Sequence, residues 1–441
     1  MVLNDREENV AASISDCIGI YIHIPFCVKK CLYCDFTSFT PGAIPEDEYI
    51  RALIKEMKSR KGEGQDNVVE TIYFGGGTPS LFSPKSIETI LGAISTNFKI
   101  VPPHPTSFDA VRPELVEGVN RSQDRPLPQV EREITLEVNP GTINMGKLKG
   151  YRDAGVNRLS IGVQSLNDGI LTTLGRIHNR QQALGAYEDA REAGFDNIGI
   201  DLIHSIPGES LSDWKRELKE VVLLGPEHIS AYSLTIEEGT PFHCQLQKGL
   251  LPLPTEETQV DMLLTTEEVL GKAGYEHYEV SNYALPGFRS RHNQIYWKGG
   301  EYLGLGLSAH SYRGLSPFTD EEQRSRRIGT VPGLDWGIRT ANSSNLEEYF
   351  RLINEKGNAV IEEEVLTKEK AMGEAVFLGL RMLEGIDLTE FEKRFGVTIE
   401  ATYPDAVIEL TEKGLLEITQ GHLRLTKQGL LLLNDVSLRF V

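Results

Sequence analysis

Six times before residue 275, a short run rich in β-branched residues is followed by a stretch of helical periodicity, and this alternation limits the possible folds more than any other feature. The runs are 18–24 (IGIYIHI), 69–74 (VETIYF), 133–138 (EITLEV), 157–163 (NRLSIGV), 196–203 (DNIGIDLI) and 227–234 (EHISAYSL). Helices are expected at about 46–60, 84–96, 144–154, 180–194, 211–224 and 256–273. Strict alternation implies parallel strands joined by helical crossovers. Six units fall short of the eight that close a standard (β/α)8 barrel. The expected fold is therefore α/β, a partial (β/α)6 TIM-like barrel, with a doubly wound sheet as the alternative. In both, chemistry belongs at the C-terminal ends of the strands.

The alternation divides the chain. Residues 1–285 read as the barrel, with a surface insertion at 101–130 that holds six of the 21 prolines and no helix-length pattern. Residues 286–344 read as a connecting segment, Gly/Ser/Arg-rich at first and polar over 315–344. Residues 345–441 read as a C-terminal, mainly helical, winged-helix-like domain. Its helices are expected at about 345–354, 368–383, 388–395 and 401–412, then strands 415–419 and 422–425 about a Gln420-Gly421 turn, then a helix from about 427. A winged helix raises DNA binding, but no basic recognition stripe accompanies it. With 45 Lys+Arg against 64 Asp+Glu, the net charge of −19 opposes nucleic acid or an anionic membrane as main partner. No run of about 18 apolar residues suggests an integral membrane protein. The opening MVLNDREENVAASISD lacks an apolar signal core, so a cytoplasmic location is expected.

Five cysteines are an odd number, and Cys27, Cys31 and Cys34 fall within eight residues, which suits a reducing compartment and a metal better than disulfides. The loop Cys27-Val28-Lys29-Lys30-Cys31-Leu32-Tyr33-Cys34 directly follows the first strand. Three thiolates can hold three irons of a [4Fe–4S] cube and leave the fourth open. A zinc site would want a fourth ligand nearby, and none follows. Gly75-Gly76-Gly77-Thr78-Pro79 follows the second strand, where glycines let backbone approach a ligand; a plain turn would explain them too. Glu137, Gln164, Arg176 and Asp201 lie at or just past successive strand ends. Acids and amides suit ribose hydroxyls, and Arg suits a carboxylate.

CxxxCxxC with an aromatic before its last Cys, directly after a first strand, resembles the signature of the radical S-adenosylmethionine superfamily. The resemblance implies that the open iron chelates S-adenosylmethionine and that one electron cleaves it to a 5′-deoxyadenosyl radical. It implies that Tyr33 packs near the adenine and that Gly76, Gly77 and Thr78 meet the methionyl amino group. From Tyr21 through Asp201 the chain resembles the oxygen-independent coproporphyrinogen III oxidase family. That carries over Glu137, Gln164, Arg176 and Asp201 as cofactor contacts, and Tyr21 as a residue near a substrate propionate or second cofactor. No catalytic residue is assigned.

Two departures separate the chain from the oxidase proper. Phe36 stands where the oxidase has a further Cys, and the first strand begins near residue 18 without the oxidase's longer extension. Both resemble the HemW-type heme chaperones, as does Arg291-His292-Asn293-Gln294-Ile295-Tyr296-Trp297, which matches their HNxxYW motif. His292, Asn293, Tyr296 and Trp297 are thus heme-binding candidates: imidazole can ligate iron and the rings offer flat apolar faces. A structural His beside an aromatic pair remains open, and His310 is a second candidate. The resemblance implies heme as cargo, respiratory recipient proteins, a one-electron reductant and a possible dimer. The oxidase, a radical enzyme acting on porphyrinogen propionates, is the alternative.

Overall fold

The computed structural model describes residues 17–64, 67–100, 132–314 and 336–441. The expected insertion, most of 315–344 and the first 16 residues lie outside them. The six expected strands are present as β1 (Cys17–Ile24), β2 (Val68–Gly76), β4 (Glu133–Val138), β5 (Arg158–Gln164), β6 (Ile198–His204) and β7 (His228–Ser233), with a two-residue β3 (Lys99–Ile100) beside β2. β1, β2, β4, β5, β6 and β7 lie side by side in chain order, all parallel. A doubly wound sheet would reverse strand order midway. The order seen here has no reversal among these strands and agrees with the wall of a partial barrel.

Alternation along each strand builds the two faces. In β1, Ile18, Ile20, Ile22 and Ile24 are buried in the main core with helix residues such as Leu53 and Met57. Gly19, Tyr21 and His23 take the other face. The helices are set by local signals: Ser83 caps Pro84–Asn97 by accepting from Ser86 N, and Asn179 forms a capping box with Gln182 at Arg180–Glu192.

The sheet extends past both edges of this wall. β7 pairs antiparallel with β9 (Asn282–Ala284), which pairs with β8 (Glu276–Glu279). β1 pairs on its outer side with β10 (Tyr302–Leu305), followed by antiparallel β11 (His310–Gly314), β12 (Gly337–Asn342) and β13 (Val360–Leu366). The stretch expected to be a connection thus supplies strands to the barrel's own sheet. β10 and β11 are short and glycine-marked: a Cβ on Gly304 would lie 2.0 Å from His310 O, so the β10–β11 approach needs a residue without one.

Buried Glu56, on helix Glu46–Arg60, ties this extension to the barrel. It accepts from Gly306 N (2.9 Å), Asn342 Nδ2 (2.7 Å) and Tyr349 OH (2.8 Å) and pairs with Arg60 (3.5 Å), which also donates to Gly304 O.

The C-terminal helices Lys368–Gly379, Leu388–Phe395, Ile399–Thr402 and Pro404–Glu412 enclose a second core around Val376, Phe391, Leu410 and Leu423. β14 (Ile386–Asp387), β15 (Leu416–Thr419) and β16 (His422–Leu425) form a small sheet whose turn has positive φ at Gln420 and Gly421. The single helix expected at 401–412 is two, because Pro404 starts a new first turn instead of continuing the previous one. Among the described residues, no helix is long and apolar enough to cross a membrane.

Candidate functional site

The cysteine loop leaves β1 at the C-terminal end of the strands and is pinned from several sides. Cys27 N donates to Phe39 O (2.8 Å) and Phe39 N to Pro25 O (2.7 Å). Leu32 N donates to Leu174 O, and Leu32 O accepts from Phe242 N, both at 3.1 Å. Cys27, Cys31 and Cys34 are all partly exposed, as groups that must reach a ligand need to be. Thr78 Oγ1 donates to Cys27 Sγ (3.5 Å) and Arg176 Nη1 to Cys31 Sγ (3.4 Å), so each of these sulfurs is held in place by a donor from a neighbouring loop. Burial pushes the Cys34 thiol up. Among the described residues no three His, Cys, Asp or Glu side chains converge to hold one metal ion. Three thiols on one loop without a fourth fit a cube that spreads its ligands over separate irons.

The glycine loop lies against the cysteine loop so closely that only glycine fits. A Cβ on Gly77 would lie 2.8 Å from Phe26 O, and one on Gly76, at φ 112°, would strike the His23 ring at 2.6 Å. Gly76 N donates to Glu137 Oε2 (3.2 Å), and Tyr73 OH to Glu137 Oε1 (2.8 Å). Burial pushes the Glu137 carboxyl up to about 7, against the pull of the Tyr73 bond. Asp201 accepts from Ser160 Oγ (2.9 Å) and Ser230 Oγ (2.7 Å), and burial raises it too. Gln164 sits at φ 66°, strained for a side-chain-bearing residue, where the β5–β6 register shifts. Arg176 donates to Gly162 O (2.8 Å), while its buried Nε has no protein partner. Tyr21, Tyr33, Gly76, Gly77, Glu137, Gln164, Arg176 and Asp201 all keep partial exposure and Thr78 is buried; Tyr21 and Glu137 meet at Gly75 and Gln164 and Arg176 at Gly162, on the walls of a candidate chamber at the strand ends. The residues fit the implied cluster and nucleoside cofactor: thiols at the mouth, backbone bared by glycine, an unpartnered guanidinium nitrogen, and carboxylates at the strand ends.

The HNQIYW segment is elsewhere. It forms helix Arg291–Trp297 at the N-terminal end of the strands, packed on Gly19, where a Cβ would lie 2.9 Å from Ile295 and 3.2 Å from the His292 ring. Gly19 to Ile24 spans about 17 Å of strand, which separates this floor from the cysteine loop. Glu133 accepts from the N–H groups of Arg291 and His292, both at 3.1 Å, holding a carboxylate at the helix N-terminus. His292 is 1% exposed. Its Nδ1 meets Thr71 Oγ1 (2.7 Å) and its Nε2 meets Tyr296 OH (2.8 Å), so neither nitrogen is open. Burial, with nearby Arg158, pushes its pKa down to about 3 and keeps the ring neutral. Trp297 carries the Arg381 guanidinium over its ring (5.3 Å), an interdomain contact; Asn293 N reaches only the capping Ser290 Oγ (3.4 Å). His310 is exposed on β11.

The sequence reading missed Tyr73, His23 and Glu133. His23 bridges Tyr21 OH (3.0 Å) and Thr37 O (3.0 Å) beneath the loops. Strand periodicity was the available signal: Tyr73 and Gly75 share a face, as do Tyr21 and His23.

Residues 21–221 match the model of the Radical SAM superfamily, and 366–432 that of the HemN C-terminal domain. The chain is 33% identical to the heme chaperone HemW of Bacillus subtilis over 94% of this chain and 97% of that protein. It is 32% identical to the mitochondrial radical S-adenosyl methionine domain-containing protein 1 of Bos taurus, over 95% and 86%. Coproporphyrinogen III oxidase (HemN) from Escherichia coli, described as a radical SAM enzyme, superposes with a TM-score of 0.74 at 22% identity, covering 98% of this chain and 91% of that one, a likeness of fold.

Proposed function

The chain belongs to the family of the heme chaperone HemW, and from that premise we propose that it binds heme and hands it to recipient proteins, with a [4Fe–4S] cluster and S-adenosylmethionine as cofactors. The observation that carries this reading is similarity running the length of both chains, 94% of this one and 97% of the Bacillus subtilis chaperone. Phe36, 63% exposed where the oxidase motif has a thiol, supports it. The oxidase alternative rests on likeness of fold.

Cys27, Cys31 and Cys34 would hold the cluster, which supplies one-electron chemistry when bound. Gly76, Gly77 and Thr78 present backbone and hydroxyl groups to the cofactor's amino end. Glu137 and Asp201 take ribose hydroxyls, Gln164 assists them, Arg176 takes the carboxylate, and Tyr33 and Tyr21 wall the chamber. Residues 1–285 would carry this work, 286–344 the heme contact at His292, Asn293, Tyr296 and Trp297, and 345–441 would hold that helix from outside. A one-electron reductant approaches the cysteine loop, where Val28 and Phe36 are exposed beside Lys29 and Lys30. Respiratory proteins in the cytoplasmic compartment or at its membrane are the recipients we favour, and the chaperone would work as a monomer or dimer.

The test is anaerobic titration of cluster-reconstituted protein with heme, followed at the Soret band. Saturable binding with no release of CO2 from coproporphyrinogen III supports the proposal. Turnover without heme binding would overturn it in favour of the oxidase.

A further inference from the structure

From the chamber down to the floor of the strands, three tyrosines in succession pair with proton-accepting side chains. Tyr21 OH meets His23 Nδ1 (3.0 Å), Tyr73 OH meets Glu137 (2.8 Å) and Tyr296 OH meets His292 Nε2 (2.8 Å). A buried phenol needs some partner, and a backbone carbonyl usually serves. Here each partner is a base, and the rings form an unbroken series. Centroids lie 6.2 Å apart for Tyr21–Tyr73, 5.1 Å for Tyr73–His292, 5.1 Å for His292–Tyr296, 4.6 Å for Tyr296–Tyr302 and 6.3 Å for Tyr302–Tyr312. The series starts at the glycine loop, where a Cβ on Gly75 would lie 2.9 Å from the rings of both Tyr21 and Tyr73. It ends at a cleft lined by Tyr302, Tyr312 and Arg313, beside the C-terminal domain's Arg394, which donates to Tyr312 OH (3.1 Å).

We propose that this series is a one-electron relay that quenches a carbon-centred radical formed in the chamber and carries the oxidising equivalent to the outer cleft. The inference rests on the radical chemistry read above. In the first step a phenol hydrogen of Tyr21 or Tyr73 passes to the radical: a C–H bond forms, an O–H bond breaks and a phenoxyl radical remains. The first phenoxyl is refilled by an electron from Tyr296 across the neutral His292 ring and by a solvent proton relayed through Glu137 or His23; the Tyr296 phenol proton passes to His292 Nε2 and returns on reduction, and the phenol protons of Tyr302 and Tyr312 go to water in the outer cleft and return from it. At Tyr302 or Tyr312, a one-electron reductant of the class that reduces the cluster, with a proton from water, restores the last phenol. A radical left without substrate is thereby spent without damage to the chamber.

The experiment uses cluster-reconstituted full-length protein with S-adenosylmethionine and dithionite, anaerobically, in thiol-free D2O. The relay predicts that 5′-deoxyadenosine gains one deuterium, because phenol hydrogens exchange with solvent. It also predicts a g ≈ 2.00 radical signal whose hyperfine pattern changes in protein grown on ring-deuterated tyrosine. Tyr21→Phe/Tyr73→Phe should lose both. Should that double variant misfold, Tyr296→Phe keeps the test, since it should retain the deuterium while the radical no longer passes beyond Tyr73. Undeuterated 5′-deoxyadenosine in wild type overturns the relay alone; no 5′-deoxyadenosine at all overturns the cofactor reading and the relay with it.

Discussion

Replacing Tyr296 by Phe should strengthen heme binding, the opposite of what its place in the HNQIYW segment suggests. For His292 to ligate iron, one ring nitrogen must be freed. Nδ1 is held by Thr71 at 2.7 Å, which fixes the ring, so Nε2, held by Tyr296 OH at 2.8 Å, is the one to yield. The ring is neutral because burial pushes its pKa down to about 3, so no proton competes with the metal. The cost of opening is therefore the Tyr296 bond, about 0.5–1.5 kcal/mol net. Tyr296→Phe keeps the ring and removes that competitor, so the dissociation constant should fall by roughly 2- to 12-fold, at 1.4 kcal/mol per tenfold. Anaerobic Soret titrations of wild type, Tyr296→Phe and His292→Ala measure it, with His292→Ala losing the ligand and weakening binding. Weaker binding in Tyr296→Phe together with unchanged binding in His292→Ala would refute the reasoning and place the iron elsewhere.

Further outcomes concern stability and the loops. Glu209 is buried, and desolvation pushes its carboxyl from 4.5 up to about 8, with Glu217 beside it. The folded state then binds the extra proton, so stability falls as pH rises between about 4.5 and 8; at 1.36 kcal/mol per pH unit the loss is bounded at roughly 5 kcal/mol. Melting curves from pH 5 to 8.5 should slope downward in wild type and less steeply in Glu209→Gln, where other raised carboxyls such as Glu137 still contribute; an equal slope in the variant removes Glu209 as a cause. Glu56→Ala removes the acceptor of three buried donors while Arg60 keeps its pair with Glu63, and about 3–5 kcal/mol should be lost in denaturant unfolding; a loss under about 1 kcal/mol would mean that water replaces the carboxylate. Gly77→Ala forces the glycine loop off Phe26 and should weaken S-adenosylmethionine binding while the iron–sulfur absorption band stays; unchanged affinity in calorimetry would detach that loop from the cofactor.

The parallel wall was legible because β-branched runs and helical periodicity are local signals. The recurrence of polar side chains at its strand ends was legible as well, and that is where the structure places Glu137 and Gln164. What was not legible depends on distant pairing. β10 and β11 are short, β12 and β13 carry polar and charged residues, and their pairing is settled by contacts such as Glu56 with Asn342, 286 residues apart. HNQIYW reads as a heme motif in isolation, yet its position on the barrel floor follows from Thr71 and Glu133, more than 150 residues upstream, and from Gly19 lacking a side chain. The break at Pro404 was a local signal that the helical pattern around it obscured.

The claim that this chain passes heme on is tested most directly by transfer. Heme-loaded, cluster-reconstituted protein is mixed anaerobically with an apo-hemoprotein acceptor, and the Soret spectra of the two are followed in time. The account predicts that the donor band is replaced by the acceptor's faster than heme is lost to an excess of a passive heme scavenger. Heme that leaves for acceptor and scavenger at the same rate would contradict it, because release would then owe nothing to the recipient.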